Sequence, residues 1–150
     1  MKIEKKLKEL TIELPKLPKS GGKYYPIKYL NENLFYVSGC GPKIGTYNCT
    51  GLLGDTVSLE EGITAAKACL INILAVIKNE IDDLDKIESF VKMTVFVASN
   101  TSFLHQPKVA DGATELLEQI FGNRIAVQVC NWCCSAAGQY FSGDRNYGEN

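Results

Sequence analysis

Residues 58–80 read SLEEGITAAKACLINILAVIKNE. The opening Ser58-Leu59-Glu60-Glu61 has the pattern of a capping box. In that motif the serine hydroxyl accepts from an amide of the first turn, and the glutamate reaches back to the serine amide. Ile63, Ala66, Leu70, Ile73, Leu74 and Ile77 then recur at spacings of three and four. This predicts a long amphipathic helix with one face packed on a sheet. Asp82-Asp83-Leu84-Asp85 closes it. Such a helix can cross between two parallel strands, and that connection should be right-handed.

On the N-terminal side, Leu34-Phe35-Tyr36-Val37 is rich in β formers, Asn31-Glu32-Asn33 is turn chemistry, and Tyr24 to Leu30 reads as the preceding strand. Together they predict a hairpin. Ser38-Gly39-Cys40-Gly41-Pro42 ends it, and residues 43–57 read as a loop with a short strand. Two glycines and a proline allow a sharp turn or a close approach to a ligand.

On the C-terminal side, residues 87–98 alternate. Val91, Met93, Val95 and Val97 fall on one face, with Phe90, Thr94 and Phe96 on the other, as in a central strand covered on both sides. Pro107 to Phe121 reads as a second helix with Val109, Ala113, Leu116, Leu117 and Ile120 inward, stopped by Gly122. A further helix near the start carries Ile3, Leu7 and Leu10 on one face. Pro15, Pro18 and Ser20-Gly21-Gly22 follow it. The expected order is β-β-α-β-α after that helix, with one more strand to come from the tail. This is an α+β class, in one domain over residues 1–150.

The 150 residues suit a single domain, and a net charge of −1 supplies no field to attract nucleic acid or anionic lipid. No apolar run is long enough to span a bilayer. The start, MKIEKKLKEL, lacks an apolar signal core, so a cytoplasmic location is expected. Its lysines are most simply a solvated helix face. Six cysteines without an export signal do not argue for a disulfide framework.

Five segments, GGKYYPIKY, LFYVSGCGP, SLEEGITAAKACLINILAVIK, DKIESFVKMTVFVASNTSF and QPKVADGATELLEQIFG, cover about residues 20–122. In this order and spacing the chain resembles the RidA/YjgF family, also known as the L-PSP endoribonuclease family. The resemblance is to its longer branch, which begins with an extra helix. It implies a chorismate-mutase-like fold, a mixed sheet on two helices. It implies a homotrimer with ligand clefts between subunits. It also implies hydrolysis of reactive enamines and imines such as 2-aminoacrylate, with no metal or organic cofactor. A small-molecule ligand bearing a carboxylate is the expected partner, and neither nucleic acid nor membrane is. Two alternatives stand beside the deaminase: a silent carboxylate-binding trimer and, more weakly, an endoribonuclease. Only two arginines are present, which counts against the nuclease.

Carried over by the same resemblance, Tyr24 matches a tyrosine of the cleft, and Ser38 and Gly39 match the loop beside the ligand. Cys40 stands where another branch has glutamine, and Asp111 where it has asparagine. Taken alone, Tyr24 could equally be half-buried strand surface, and Asp111 could simply favour the first turn of its helix. Ser38 has no neighbouring His-Asp pair and is read as shaping a loop rather than as a nucleophile. His105 is read as a surface residue near the cleft.

The family's carboxylate-binding arginine and water-positioning glutamate have no match here. Residues 127–150 read VQVCNWCCSAAGQYFSGDRNYGEN, which departs from the family ending. Codons for this text, read one nucleotide later, permit SRSAIGVALLPGNISVEIEIMVK. That reading restores the ending, with its arginine and a Glu-alternating strand. A one-nucleotide insertion near the codon for Val127 is therefore expected. Taken as written, the tail should damage the sheet edge and weaken the trimer. Cys130-x-x-Cys133-Cys134 lacks the second knuckle a structural zinc requires.

Overall fold

In a computed structural model, residues 2–17, 22–125 and 127–133 are described. Helix α1 (Lys2–Glu9) comes first. The hairpin strands β1 (Ile27–Asn31) and β2 (Leu34–Val37) follow, then α2 (Leu59–Ile81), β3 (Lys92–Ala98), α3 (Gln106–Phe121) and β4 (Val127–Cys133). The order β-β-α-β-α-β with an extra N-terminal helix is the expected one, and the class is mixed α+β.

The capping box forms in full: Ser58 Oγ accepts from Glu61 N at 3.2 Å, and Glu61 Oε2 accepts from Ser58 N at 2.8 Å. These bonds to Ser58 hold the Glu61 carboxyl below its ordinary range. Helix α2 is buried on more of its circumference than a single face. Ala66, Leu70, Leu74 and Ile77 are buried as expected, whereas Ile63 and Ile73 are only half-buried. Ala65, Cys69, Asn72 and Val76 are buried as well, because α3, the hairpin and the loop at residues 40–43 surround the helix.

The five expected core residues of α3 are all buried. Gly122 terminates the helix at φ 66°, a conformation that glycine adopts without steric cost. Helices α2 and α3 approach closely at Gly112, where an added Cβ would lie 2.7 Å from Ile63 Cγ2 and 3.1 Å from Ile63 O.

Two strands start later than the sequence suggests. Strand β1 begins at Ile27 and not Tyr24, since Pro26 has no N–H to give to a ladder. Strand β3 begins at Lys92 rather than Ile87. The chain at 87–90 is tied instead to the short 3-10 turn Gly122–Arg124. Phe90 N donates to Arg124 O at 2.9 Å, and Arg124 Nη1 donates to Ile87 O at 2.8 Å. Phe90 also meets Phe121 edge-on, with centroids 4.9 Å apart. Val91, left outside the ladder, is 65% exposed and does not join Met93, Val95 and Val97 on an inward face.

Among the described residues the strands form two two-stranded sheets, antiparallel β1–β2 and parallel β3–β4. The regular parallel crossover is therefore made by α3. Helix α2 crosses between β3 and the 51–57 loop, where Leu53 makes a parallel bridge to Ser99. Leu53 N donates to Ala98 O at 3.1 Å, and Asn100 N donates to Leu53 O at 3.0 Å. Residues 43–57 therefore contain isolated bridges rather than the short strand expected there, and the Leu53 bridge joins this loop to the end of β3. The tail does supply the last strand: β4 pairs with every residue of β3, from Lys92↔Val127 to Ala98↔Cys133. The Glu-alternating strand of the shifted reading, over 139–147, falls outside the described residues.

Helix α1 is docked through buried Ile3 and Leu7, an ion pair between Glu4 and Lys78, and the Asp85 carboxylate. That carboxylate accepts from Lys2 N at 2.6 Å and Ile3 N at 2.8 Å. A negative group at a helix N-terminus satisfies amides that have no intrahelical partner.

Gly112→Ala would gain up to about 1 kcal/mol from helix propensity. Its Cβ would strike the branched Cγ2 of Ile63 at 2.7 Å and crowd the Ile63 backbone carbonyl at 3.1 Å, and overpacking of this kind costs about 1–3 kcal/mol. Urea denaturation should therefore show a net loss of stability. A second expectation concerns acid. A hydrogen bond from the α-amino group, then those from the Ile3 and Lys2 amides, hold Asp85 at about 2. The folded pKa is depressed, so this contribution is complete above the ordinary carboxylate range and is lost as pH falls toward 2. Hydrogen exchange at the first amides of α1 should quicken across that window, and Asp85→Asn should show quick exchange already at neutral pH.

Candidate functional site

The loop that leaves β2 carries three of the expected residues, Ser38, Gly39 and Cys40, all half-buried. It is bolted at its start to the segment ahead of β1. Ser38 N donates to Pro26 O at 2.8 Å, and Ser38 Oγ donates to Tyr25 O at 2.7 Å. With its hydroxyl proton committed to a carbonyl and no histidine among its bonded partners, Ser38 is arranged as a loop-shaping residue. Cys40 Sγ lies 3.9 Å from Ser38 O, a weak thiol donor turned back on its own loop. Tyr24 lies just ahead of β1 and is exposed, with its amide bonded to Gly22 O at 3.1 Å. The 22–26 segment and the 38–40 loop thus form one polar group of residues beside the hairpin.

Asp111 is not part of that group within the single chain. It is exposed on α3, a helix that packs on α1, α2, β3 and β4, whereas the hairpin packs on α2. Its neighbour is Cys130 on β4. Burial pushes the Cys130 thiol up, and the Asp111 charge adds to the rise. One turn along α3, Thr114 Oγ1 donates to Gln128 Oε1 at 2.8 Å, which fixes this edge of the helix over β4.

His105 is exposed and stands at the N-cap of α3 without a side-chain capping bond, its ring edge-on to Phe103 at 5.8 Å. Beside it, Thr101, Phe103, Leu104 and Gln106 line an open hollow of about 250 Å³. None of these four was singled out from the sequence. Their only signal was membership of the loop between a strand and a helix, where ligand-contacting residues concentrate. The hollow is held by Gln106 Nε2, which donates to Ser99 Oγ at 3.1 Å and to Phe103 O at 2.6 Å.

Among the described residues no cluster of three His, Cys, Asp or Glu could hold a metal ion. Cys134, the last member of the Cys130-x-x-Cys133-Cys134 group, lies outside the described residues. Among them, too, no helix is long and apolar enough to cross a membrane. Arg124, the one arginine described, donates from Nη1 to the Ile87 carbonyl.

Comparison with known proteins bears on the family and the fold. Residues 4–136 match the family described as "YjgF/chorismate_mutase-like, putative endoribonuclease". The match extends beyond residues 20–122 at both ends and takes in β4. The chain is 33% identical over 126 residues to the Protein TCP17 of Trypanosoma cruzi, covering 83% of this chain and 78% of that one. Two crystal structures are similar. One is the protein Atu1372 of Agrobacterium tumefaciens, whose function is described as unknown. It has a TM-score of 0.81 at 33% identity over 93% of this chain and 85% of that one. The other is described as a "putative endoribonuclease" from Shewanella oneidensis MR-1. It has a TM-score of 0.82 at 26% identity over 87% and 86% of the two chains.

The thiols test the geometry on the Asp111 side. Cys49 and Cys130 are both raised, chiefly by burial, with the Glu61 charge contributing at Cys49 and that of Asp111 at Cys130. Iodoacetamide labelling followed by peptide mass spectrometry should give pH–rate midpoints for both above that of free cysteine. Asp111→Asn should lower the Cys130 midpoint and leave that of Cys49 in place. Equal movement of both would contradict the pairing.

Proposed function

We propose that this chain, which belongs to the YjgF/chorismate mutase-like family, hydrolyses reactive enamines and imines derived from amino acids, with 2-aminoacrylate as the representative substrate. The reaction adds water to the imine carbon and expels ammonia, so 2-aminoacrylate and water give pyruvate and ammonia. The substrate is a small carboxylate. The Ser38-Gly39 loop shapes one wall of its site; the Ser38 amide is spent on the Pro26 carbonyl, so the amide offered to the anion is that of Gly39. Tyr24 lines the same wall, with Cys40 beside it. The residues that move the proton and position the water are not assigned.

One observation carries the assembly on which this reading depends. The candidate residues fall into two groups on different elements, Tyr24 with Ser38–Cys40 beside the hairpin and Asp111 on α3. A cleft between neighbouring copies of a homotrimer lets the two groups meet. Exposed apolar and aromatic side chains in and just before the hairpin support an assembled state: Leu30 and Tyr36 are 62% and 64% exposed, and Tyr25, ahead of β1, is 80% exposed. Apolar surface gathered in this way marks an interaction face.

The second reading, a carboxylate-binding trimer without catalysis, is favoured by the arginines. Arg124, the one arginine among the described residues, donates from Nη1 to the Ile87 carbonyl and does not stand at the family's carboxylate-binding position. Neither the arginine nor the glutamate implied by family resemblance stands at a matching position in the written tail. A one-nucleotide insertion near the codon for Val127 accounts for both losses at once. The endoribonuclease reading has less support, because a net charge of −1 provides no surface for a polyanion.

The measurement is ammonia release from freshly generated 2-aminoacrylate, made with protein whose mass in solution is that of three chains. A saturable rate above the buffer control is expected. No such rate, together with saturable pyruvate binding by calorimetry, would replace the deaminase with the binding protein.

A further inference from the structure

Asn72 is a buried polar side chain in the middle of α2, 2% exposed, in a stretch that otherwise buries Leu70, Leu74, Ala75, Val76 and Ile77. Asparagine is a poor choice there by helix propensity, and a buried amide costs free energy unless its hydrogen bonds are made. They are made to a distant part of the chain. Nδ2 donates to Gly41 O at 2.9 Å and to Lys43 O at 2.9 Å. Both protons of one amide are spent on two carbonyls of the same loop, two residues apart. The backbone must therefore curve around Nδ2 across Pro42, which is itself fully buried.

The loop is thus anchored at both ends. Ser38 is tied to the carbonyls of Tyr25 and Pro26, and Gly41 and Lys43 are tied to Asn72. Between the anchors lie Gly39 and Cys40. Gly41 has little torsional preference of its own, so the curvature of this stretch is set from outside it.

We infer that Asn72 is a positioning residue: it clamps the loop after β2 so that Ser38, Gly39 and Cys40 present a fixed wall to a small carboxylate ligand. This rests on the function proposed above for that loop. Asn72 itself is buried behind the loop and acts only through it. The cost of burying an amide in α2 is offset by its two hydrogen bonds, which also order a segment that lacks regular structure.

The test is Asn72→Leu, which keeps nearly the same shape and removes both donors. Two readouts separate a clamp from general support of the fold. The first is iodoacetamide labelling of Cys40, with buried Cys69 on α2 as the internal control. Labelling of Cys40 should rise about tenfold or more while Cys69 stays protected, as expected for local opening rather than global unfolding. The second is pyruvate affinity by calorimetry, which should weaken about tenfold, the scale of effect that a misplaced binding wall produces. Unchanged Cys40 labelling, or a parallel rise at Cys69, would overturn the inference. So would native pyruvate affinity in a chain whose Cys40 is freely labelled. If the unaltered chain neither binds pyruvate nor releases ammonia while Asn72→Leu still exposes Cys40 alone, the carboxylate reading fails and the clamp stands. Should Asn72→Leu not fold, Asn72→Gln keeps the two donors one methylene further out. Its Cys40 labelling should also exceed that of the unaltered chain, and no increase would count against the clamp.

Discussion

The close approach of α2 to α3 at Gly112 and Ile63 is the constraint on which the rest of the structure depends. With no Cβ at position 112, the two helices come near enough to share one core, built from Ala65, Ala66, Leu70 and Leu74 on one side and Val109, Ala113, Leu116 and Leu117 on the other. Everything else is fastened to this pair. Strands β3 and β4 are joined by α3, the hairpin rests on α2, and α1 is held by Asp85 and by its two buried apolar residues. Interiors pack at crystal-like density, so a fraction of an ångström at this crossing is felt by every layer above it.

Around that core the polar side chains act mainly as fasteners between distant segments. Asn72 ties α2 to the loop after β2, and Arg124 ties the end of α3 to the approach of β3. Asn100 Nδ2 donates to Gly54 O at 2.8 Å and holds the Leu53 loop against β3. Each donor meets a backbone carbonyl that regular secondary structure leaves unsatisfied. One of the segments fastened in this way, the loop after β2, carries Ser38, Gly39 and Cys40 of the candidate site. The part of the molecule with the least regular structure is thereby given defined positions.

Much of this could be read from the chain. The Ser58–Glu61 capping box was legible because it is local: four residues contain both partners of both hydrogen bonds. The α3 core positions were legible for a similar reason, since a 3.6-residue period states which side faces inward. The readings that changed depended on partners far away in sequence. Val91 fits an alternating pattern, yet residues 87–90 are engaged by the turn at 122–124 and Val91 is left in solvent. Ile63 and Ile73 lie within an apolar stripe but are only half-buried, because α2 is enclosed from several directions and its burial is not confined to one face. The placement of Asp111 beside Cys130, away from Ser38, required the course of α3 over β4.

By itself the sequence determined the class, the element order, the capped central helix and the kinship of the chain, because these follow from local periodicity, turn chemistry and the order of segments. Only the tertiary structure decided where β3 begins and that two separate ladders form among the described residues. It also decided that the candidate site residues divide between two regions and that Asn72 serves the loop and not the helix it sits in. The physical reason is common to these. An unpaired carbonyl or a packing surface supplied from 30 or more residues away leaves no trace in a local pattern, yet its hydrogen bond or contact sets the conformation.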